Sequence, residues 1–250
     1  MCRNLVFVLS VAVLLGPAGF RFTQTGANAA PAEKDQQASL DSDSSLVGWW
    51  KLDEVADKNA ADSSKQHQNG TLDGDLSFQK NSVPGRLGKA LKFDGKGSVV
   101  VTGYKGISGT HPRTVAVWIK TKESRGNVVT WGENDFGKMW IFGFIRGHVG
   151  VTPSGGYLYI NERINDDQWH HVAAVVNKGD PPNLHDNVNL YVDGAPAAIH
   201  NIGLLDLWPV DTGSEADVRI GDRFKGEIDD VRIYDRALSV DEVNALFRQK

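Results

Sequence analysis

Cysteine is nearly absent: Cys2 is the only one in 250 residues. A single thiol closes no intrachain disulfide, so the fold must be held by its apolar core or by a metal. Long apolar runs are scarce too. The longest, Leu5–Leu15, is about 11 residues, short of the ~20 needed to cross a bilayer as a helix. Nor is there a surplus of positive charge: 27 Lys and Arg stand against 31 Asp and Glu, for a net charge of -4. That balance argues against nucleic acid or an anionic membrane surface as partner. Helical periodicity is almost missing, and so is the G-x-S-x-G signature of a serine nucleophile.

What is present begins with a leader. Arg3 precedes the apolar run, and Ala27-Asn28-Ala29-Ala30 supplies an A-x-A cleavage pattern. Residues 1–29 therefore read as a signal peptide, and the protein as secreted or held in the periplasm or cell envelope. The leader carries Arg3 and Arg21 and no acid, so the remaining chain is more acidic still. Residues 30–45 hold a single large apolar side chain, Leu40, and read as a flexible linker. Residues 46–250 have no Pro/Ser-rich interruption and no fixed-period repeat, and form one domain with one core.

Within that domain, short β-branched and aromatic runs recur between Gly, Asn, Asp and Pro. They include Val47–Leu52, Leu87–Phe93, Ser98–Thr102, Thr114–Lys120, Asn127–Trp131, Met139–Ile145, His148–Thr152, Trp169–Asn177 and Val188–Val192. Asp193-Gly194 after the last of these is a strong hairpin signal, because a type I′ turn needs positive φ at both central positions. The pattern predicts an all-β, two-sheet sandwich. One helix is expected, at the C-terminus, with Ser239 as N-cap, Glu242 closing a capping box, and Leu238 and Val243 as the staple. Just before it, Gly226–Tyr234 reads as a strand carrying adjacent Asp229 and Asp230. Strand alternation would send one of two adjacent carboxylates toward the core. Either a bulge turns the pair aside, or a cation or partner neutralises the inward one.

Five segments, Gly48–Glu54, Ala61–Gly74, Gly88–Gly95, Trp169–Ala173 with Leu190–Gly194, and Gly226–Leu238, together resemble bacterial laminin-G-like domains of the concanavalin A-like lectin/glucanase superfamily. The resemblance implies an antiparallel jelly roll with a structural Ca²⁺ near the chain ends. Mapped onto this sequence, Asp62 and Asp230 would be the carboxylate ligands, with backbone carbonyls around His67, Asn69 and Thr71. The loop 62–71 is rich in the oxygen donors Ca²⁺ takes, although Lys65, Gln66 and His67 stand where relatives carry small residues. The alternative is that Asp62 caps a turn and Asp230 pairs with Arg219 or Arg232.

Glucanases of this fold use a strand motif resembling E-x-D-x-x-E, whose two acids flank the scissile bond. Here Glu227-Ile228-Asp229-Asp230-Val231-Arg232 puts arginine where the second acid belongs. Glu133 and Asp135 flank a turn, and Asp166-Asp167 precede a strand. His170 and His171, adjacent in a strand, face opposite sides and cannot chelate one ion from that strand. Binding remains. Sugar sites present aromatic faces to sugar rings. Trp50, Trp118 and Trp169 fall in core positions, whereas Trp131, Trp140, Tyr157, Tyr159 and Trp208 lie in or beside loops. Trp131, Trp140, Tyr157 and Trp208 are the expected ligand contacts. The sequence thus points to an exported, non-catalytic module for an extracellular or cell-envelope glycan. A protein-interaction or adhesion domain without a sugar site is the alternative, with a glycoside hydrolase third.

Overall fold

The computed structural model describes residues 33–200 and 208–249. The segment read as a signal peptide, residues 1–29, lies outside them. In chain order the elements are α1 (Glu33–Ser42), β1 (Leu46–Trp50), β2 (Asn59–Ala60), β3 (Gly70–Leu72), α2 (Phe78–Asn81), β4 (Ser82–Pro84), β5 (Lys89–Asp94) and β6 (Val99–Val101). Then follow β7 (Arg113–Lys120), β8 (Asn127–Gly132), β9 (Met139–Ile145), β10 (His148–Thr152), β11 (Leu158–Tyr159), β12 (His170–Val176), α3 (Leu184–Asn187) and β13 (Val188–Val192). The chain closes with β14 (Ala195–Pro196), β15 (Ala216–Ile220), β16 (Lys225–Tyr234) and α4 (Val240–Phe247). No helix among the described residues is long and apolar enough to cross a membrane.

Two antiparallel sheets of eight strands each make a jelly-roll sandwich, the fold the sequence predicts. One sheet runs β14-β13-β12-β7-β16-β5-β4, with β1 also paired to β16. The other runs β11-β10-β9-β8-β15-β6-β3-β2. Residues of one parity on each strand fill the space between the sheets: Val115, Val117 and Ile119 from β7 meet Val129, Trp131, Phe142 and Val151 from the facing sheet. Strand β7 is buried on its other side as well, because Ala116 lies under a second apolar cluster. That cluster joins Leu40 of α1, Trp49 of β1, Ala173 and Val175 of β12, and Val243 and Leu246 of α4.

The second cluster corrects the linker reading over residues 33–45. From Glu33 to Ser42 the chain is helical, and Leu40 is 2% exposed. Asp41 and Asp43 ion-pair with Arg232 and Arg236, each at 2.5 Å. A lone leucine among polar residues looks like tail composition. Its partners, Leu246 and Tyr234, lie some two hundred positions away, beyond the reach of any local pattern.

Strand β16 resolves the tandem aspartates by a bulge. Asp229 pairs with Trp118 and Arg232 with Ala116, so two residues oppose one, and Asp230 adopts φ +49°. The bulge also divides the strand between neighbours. Lys225–Ile228 pairs with β5, and Val231–Tyr234 pairs with β1. The last strand therefore returns beside the first. The terminal helix follows as expected, with Ser239 and Glu242 forming a complete capping box.

Candidate functional site

Three of the residues mapped as calcium ligands, Asp62, His67 and Asn69, belong to one loop, where hydrogen bonds bind them together. Asp62 Oδ1 accepts from the Trp49 and Ser64 amides, both at 2.8 Å. Its Oδ2 accepts from the Ser64 hydroxyl at 2.8 Å and the Gln68 amide at 2.7 Å. A carboxylate has about four lone-pair positions, and all are taken. Asn69 Oδ1 accepts from the Asp62 amide at 2.9 Å, and His67 turns the chain at φ +50°. Thr71 sits in the ladder between β2 and β6.

Asp230 belongs to a different arrangement. It accepts from Arg232 Nε at 2.9 Å and from the Trp49 indole at 2.6 Å. Arg232 is wholly buried and also donates to Asp41 and Gln249, and its guanidinium lies 4.1 Å from the Trp49 ring. Trp49 is thus the link between the two aspartates, by its amide to one and its indole to the other. A calcium ion on Asp62 would face four donor hydrogens, and one on Asp230 would face a guanidinium. The donor set does not fit Ca²⁺ at this place. It fits the alternative, a turn cap at Asp62 and an ion pair from Asp230 to Arg232.

The expected ligand aromatics separate. Trp131 and Trp140 are fully buried and stacked on each other at 5.4 Å. The Trp131 indole is spent on the Ile107 carbonyl. They are core, since both belong to paired strands whose alternation turns them inward. Trp208 is exposed and Tyr157 is half-buried. Trp208 is 43% exposed and stacks on Phe136, itself 61% exposed, with centroids 5.6 Å apart and planes within 14°. Tyr157 lies parallel to Tyr159 at 5.8 Å and under the Arg146 guanidinium. Tyr159 in turn stacks on His148 and His200.

Three chain segments meet around the exposed pair. The β8–β9 turn carrying Phe136 is anchored where Gly137 donates to Ser154 at 2.7 Å and accepts from Asp211 at 3.2 Å. Lys138 meets Asp211 at 2.5 Å. Gly155 adopts φ +113°, and a Cβ there would stand 2.3 Å from Trp208 Cδ1. Glycine at this position lets the indole lie flat against the turn. Sequence reading missed Phe136, although the turn signal Asn134-Asp135 beside a bulky aromatic was available.

A sequence profile described as Laminin_G_3, concanavalin A-like lectin/glucanases superfamily, matches residues 93–244. The chain belongs to this superfamily. No curated protein matches it. Among solved structures, domain 4 of AbnA, a GH43 extracellular arabinanase from Geobacillus stearothermophilus, in complex with arabinotriose, is similar at TM-score 0.61 and 21% identity, over 81% of this chain and 98% of that one. The binding domain of Paraclostridial Mosquitocidal Protein 1 matches at 0.52 and 17%, over 81% and 52%. The binding domain of botulinum neurotoxin DC in complex with rat synaptotagmin II matches at 0.51 and 15%, over 81% and 51%. The chain spans about half the length of these toxin fragments, and identities this low establish the shared fold alone.

Against the glucanases of the superfamily, the acids of β16 are differently employed. Glu227 pairs with Lys120 at 3.4 Å, and Asp230 with Arg232. Asp229 is fully buried, its Oδ2 accepting from the Arg86 and Leu87 amides at 2.8 Å each. Burial pushes its pKa up to about 7, aided by Asp230. The strand supplies no pair of free acids of the kind retaining hydrolysis requires. The paired histidines divide as expected. His170 bridges Asp193 at 2.9 Å and Asp166 at 3.2 Å, while His171 is buried against Trp118.

Proposed function

We propose that this protein is an exported, non-catalytic glycan-binding module that needs no calcium. The observation that carries this reading is the exposed, near-parallel Phe136–Trp208 pair on anchored turns. Two flat rings held in one orientation present the apolar face that stacks on the C–H face of a sugar. Two exposed aromatic rings in contact form a contiguous apolar patch, the kind of surface feature that marks an interaction site. The polar rim beside them, Asp135, Lys138 and Asp211, supplies hydrogen-bond partners for hydroxyls. The arabinotriose complex of the similar arabinanase domain supports the same class of ligand.

Isothermal titration against neutral polysaccharides and their oligosaccharides tests this. Trp208→Ala and Phe136→Ala should each weaken binding about tenfold or more, equivalent to ~1.4 kcal/mol, without moving the unfolding midpoint. Unchanged affinity in both variants would sink the platform and favour a protein partner at another surface.

A further inference from the structure

The loop that Asp62 ties together forms one wall of a groove of about 440 Å³, lined by Gln66, Gln68, Tyr104, Ile107, Ser108, His111 and Asp235, among others. Its size falls within the range of ordinary small-ligand sites, ~300–1,000 Å³. Both walls are fixed from behind by a buried charge. On one side Asp62 holds the backbone that carries Gln66 and Gln68. On the other, fully buried Arg113 donates to the carbonyls of Ile107 at 2.6 Å, Gly109 at 2.7 Å and His111 at 3.0 Å. Burial draws the Arg113 pKa down to about 10, so it stays charged at neutral pH.

The lining is mixed in a way that selects its guest. Gln66 and Gln68 each offer donors and an acceptor, Ser108 a hydroxyl, and Asp235 acceptors. His111 Nδ1 lies 2.9 Å from the Ser108 carbonyl. Donation there leaves Nε2 as an acceptor. One polar atom is left over. The Tyr104 hydroxyl is buried and has no hydrogen-bond partner among the described residues. Burial, with Asp62 and Asp235 nearby, raises its pKa well above that of an ordinary phenol, so it remains a donor. A buried unsatisfied polar group costs ~1–3 kcal/mol, which a ligand oxygen would recover. Interspersed donors and acceptors without a single-sign charge cluster suit hydroxyl groups, and Val47 and Ile107 suit the carbon face of a ring.

The groove and the aromatic pair are joined by one stretch of chain. Thr212 exchanges backbone hydrogen bonds with Gly109 at the groove wall, at 2.6 and 3.1 Å. Trp208 stands four positions earlier, at most about 14 Å along an extended chain. We infer that the groove is a second subsite, taking the terminal ring of a neutral glycan whose next units lie across Trp208 and Phe136. This rests on the glycan reading for its ligand class but not for its residues.

Titration of arabinotriose, xylotriose and cellotriose, with thermal unfolding run alongside, tests it. Tyr104→Phe removes one hydroxyl and no packing. Its unfolding midpoint should hold or rise, while affinity for the bound trisaccharide falls about tenfold. Gln66→Ala with Gln68→Ala should weaken the same trisaccharide similarly. If Tyr104→Phe and the glutamine variant bind as the parent does, the groove is not a subsite, and loss on Trp208→Ala would leave the platform standing. If the groove variants lose binding while Trp208→Ala does not, the platform falls and the groove stands alone. Failure of the parent protein to bind any of the three overturns both.

Discussion

Asp229 and His171 sit on the same face of one sheet, each a cross-strand partner of Trp118, and burial moves their pKa values in opposite directions. Asp229 goes up to about 7 and His171 down to about 3, the latter by burial and by Arg232. For the acid, the unfolded chain ionises near 3.9 while the folded one holds its proton, so stability is lost as pH rises from there to about 7. For the histidine, the unfolded chain takes a proton below about 6.5 that the folded state refuses, so stability is lost as pH falls. Each slope approaches ~1.4 kcal/mol per pH unit, and between pH ~4 and ~6.5 the two cancel. We predict that Asp229→Asn exposes a stability that climbs with pH across that window in urea titrations, and His171→Gln one that declines. Matching slopes in parent and Asp229→Asn proteins would mean that Asp229 ionises normally in the fold. His170 adds a separate effect. Its hydrogen bond to Asp193 raises its pKa, so its contribution is full below pH ~6.5 and fades as pH climbs above. His170→Gln should remove that alkaline decline.

Elements built from alternation were legible in the sequence, and elements built from distant contacts were not. Strands β9, β10 and β13 coincide with the runs read from β-branched and aromatic residues, because period-two burial is a local property. The capping box of α4 was legible for the same reason. The adjacent aspartates called for either a bulge or a neutralising partner, and β16 has both, the bulge at Asp230 and its ion pair with Arg232. Helix α1 was hidden. Its charges are matched by Arg232 and Arg236, and its one leucine is buried by residues from the far end of the chain. The exposed aromatics were half legible: composition picked out Trp208 as a loop residue, but only the register of β8 and β9 shows Trp131 and Trp140 to be inward. The energetic weight of α1 is measurable. Leu40→Ala should cost ~2–5 kcal/mol, the range for deleting a buried leucine side chain, against ~1 kcal/mol for Ser239→Ala at the α4 cap. A loss at Leu40 below that of the cap in urea denaturation would show that α1 adds little to the core.

At the scale of the molecule, the question is what closes the sandwich where its first and last strands meet. A shared cation and a hydrogen-bonded clamp make opposite predictions. A calcium ion bound only by the folded state at 100 times its Kd would add ~2.7 kcal/mol, lost on chelation. The clamp seen here runs from Asp62 through the Trp49 amide and indole to Asp230 and Arg232, with no step left for a metal. Thermal unfolding should therefore give one midpoint in excess chelator and in millimolar calcium chloride. Asp230→Ala should nonetheless be severe, about 3–5 kcal/mol, because it strands a buried guanidinium. Asp62→Ala should be comparably damaging, since it orphans three backbone amides at once. A chelator-sensitive midpoint in the parent that disappears in Asp62→Ala would restore the cation. The carboxylate would then have to shed its amide partners to bind it.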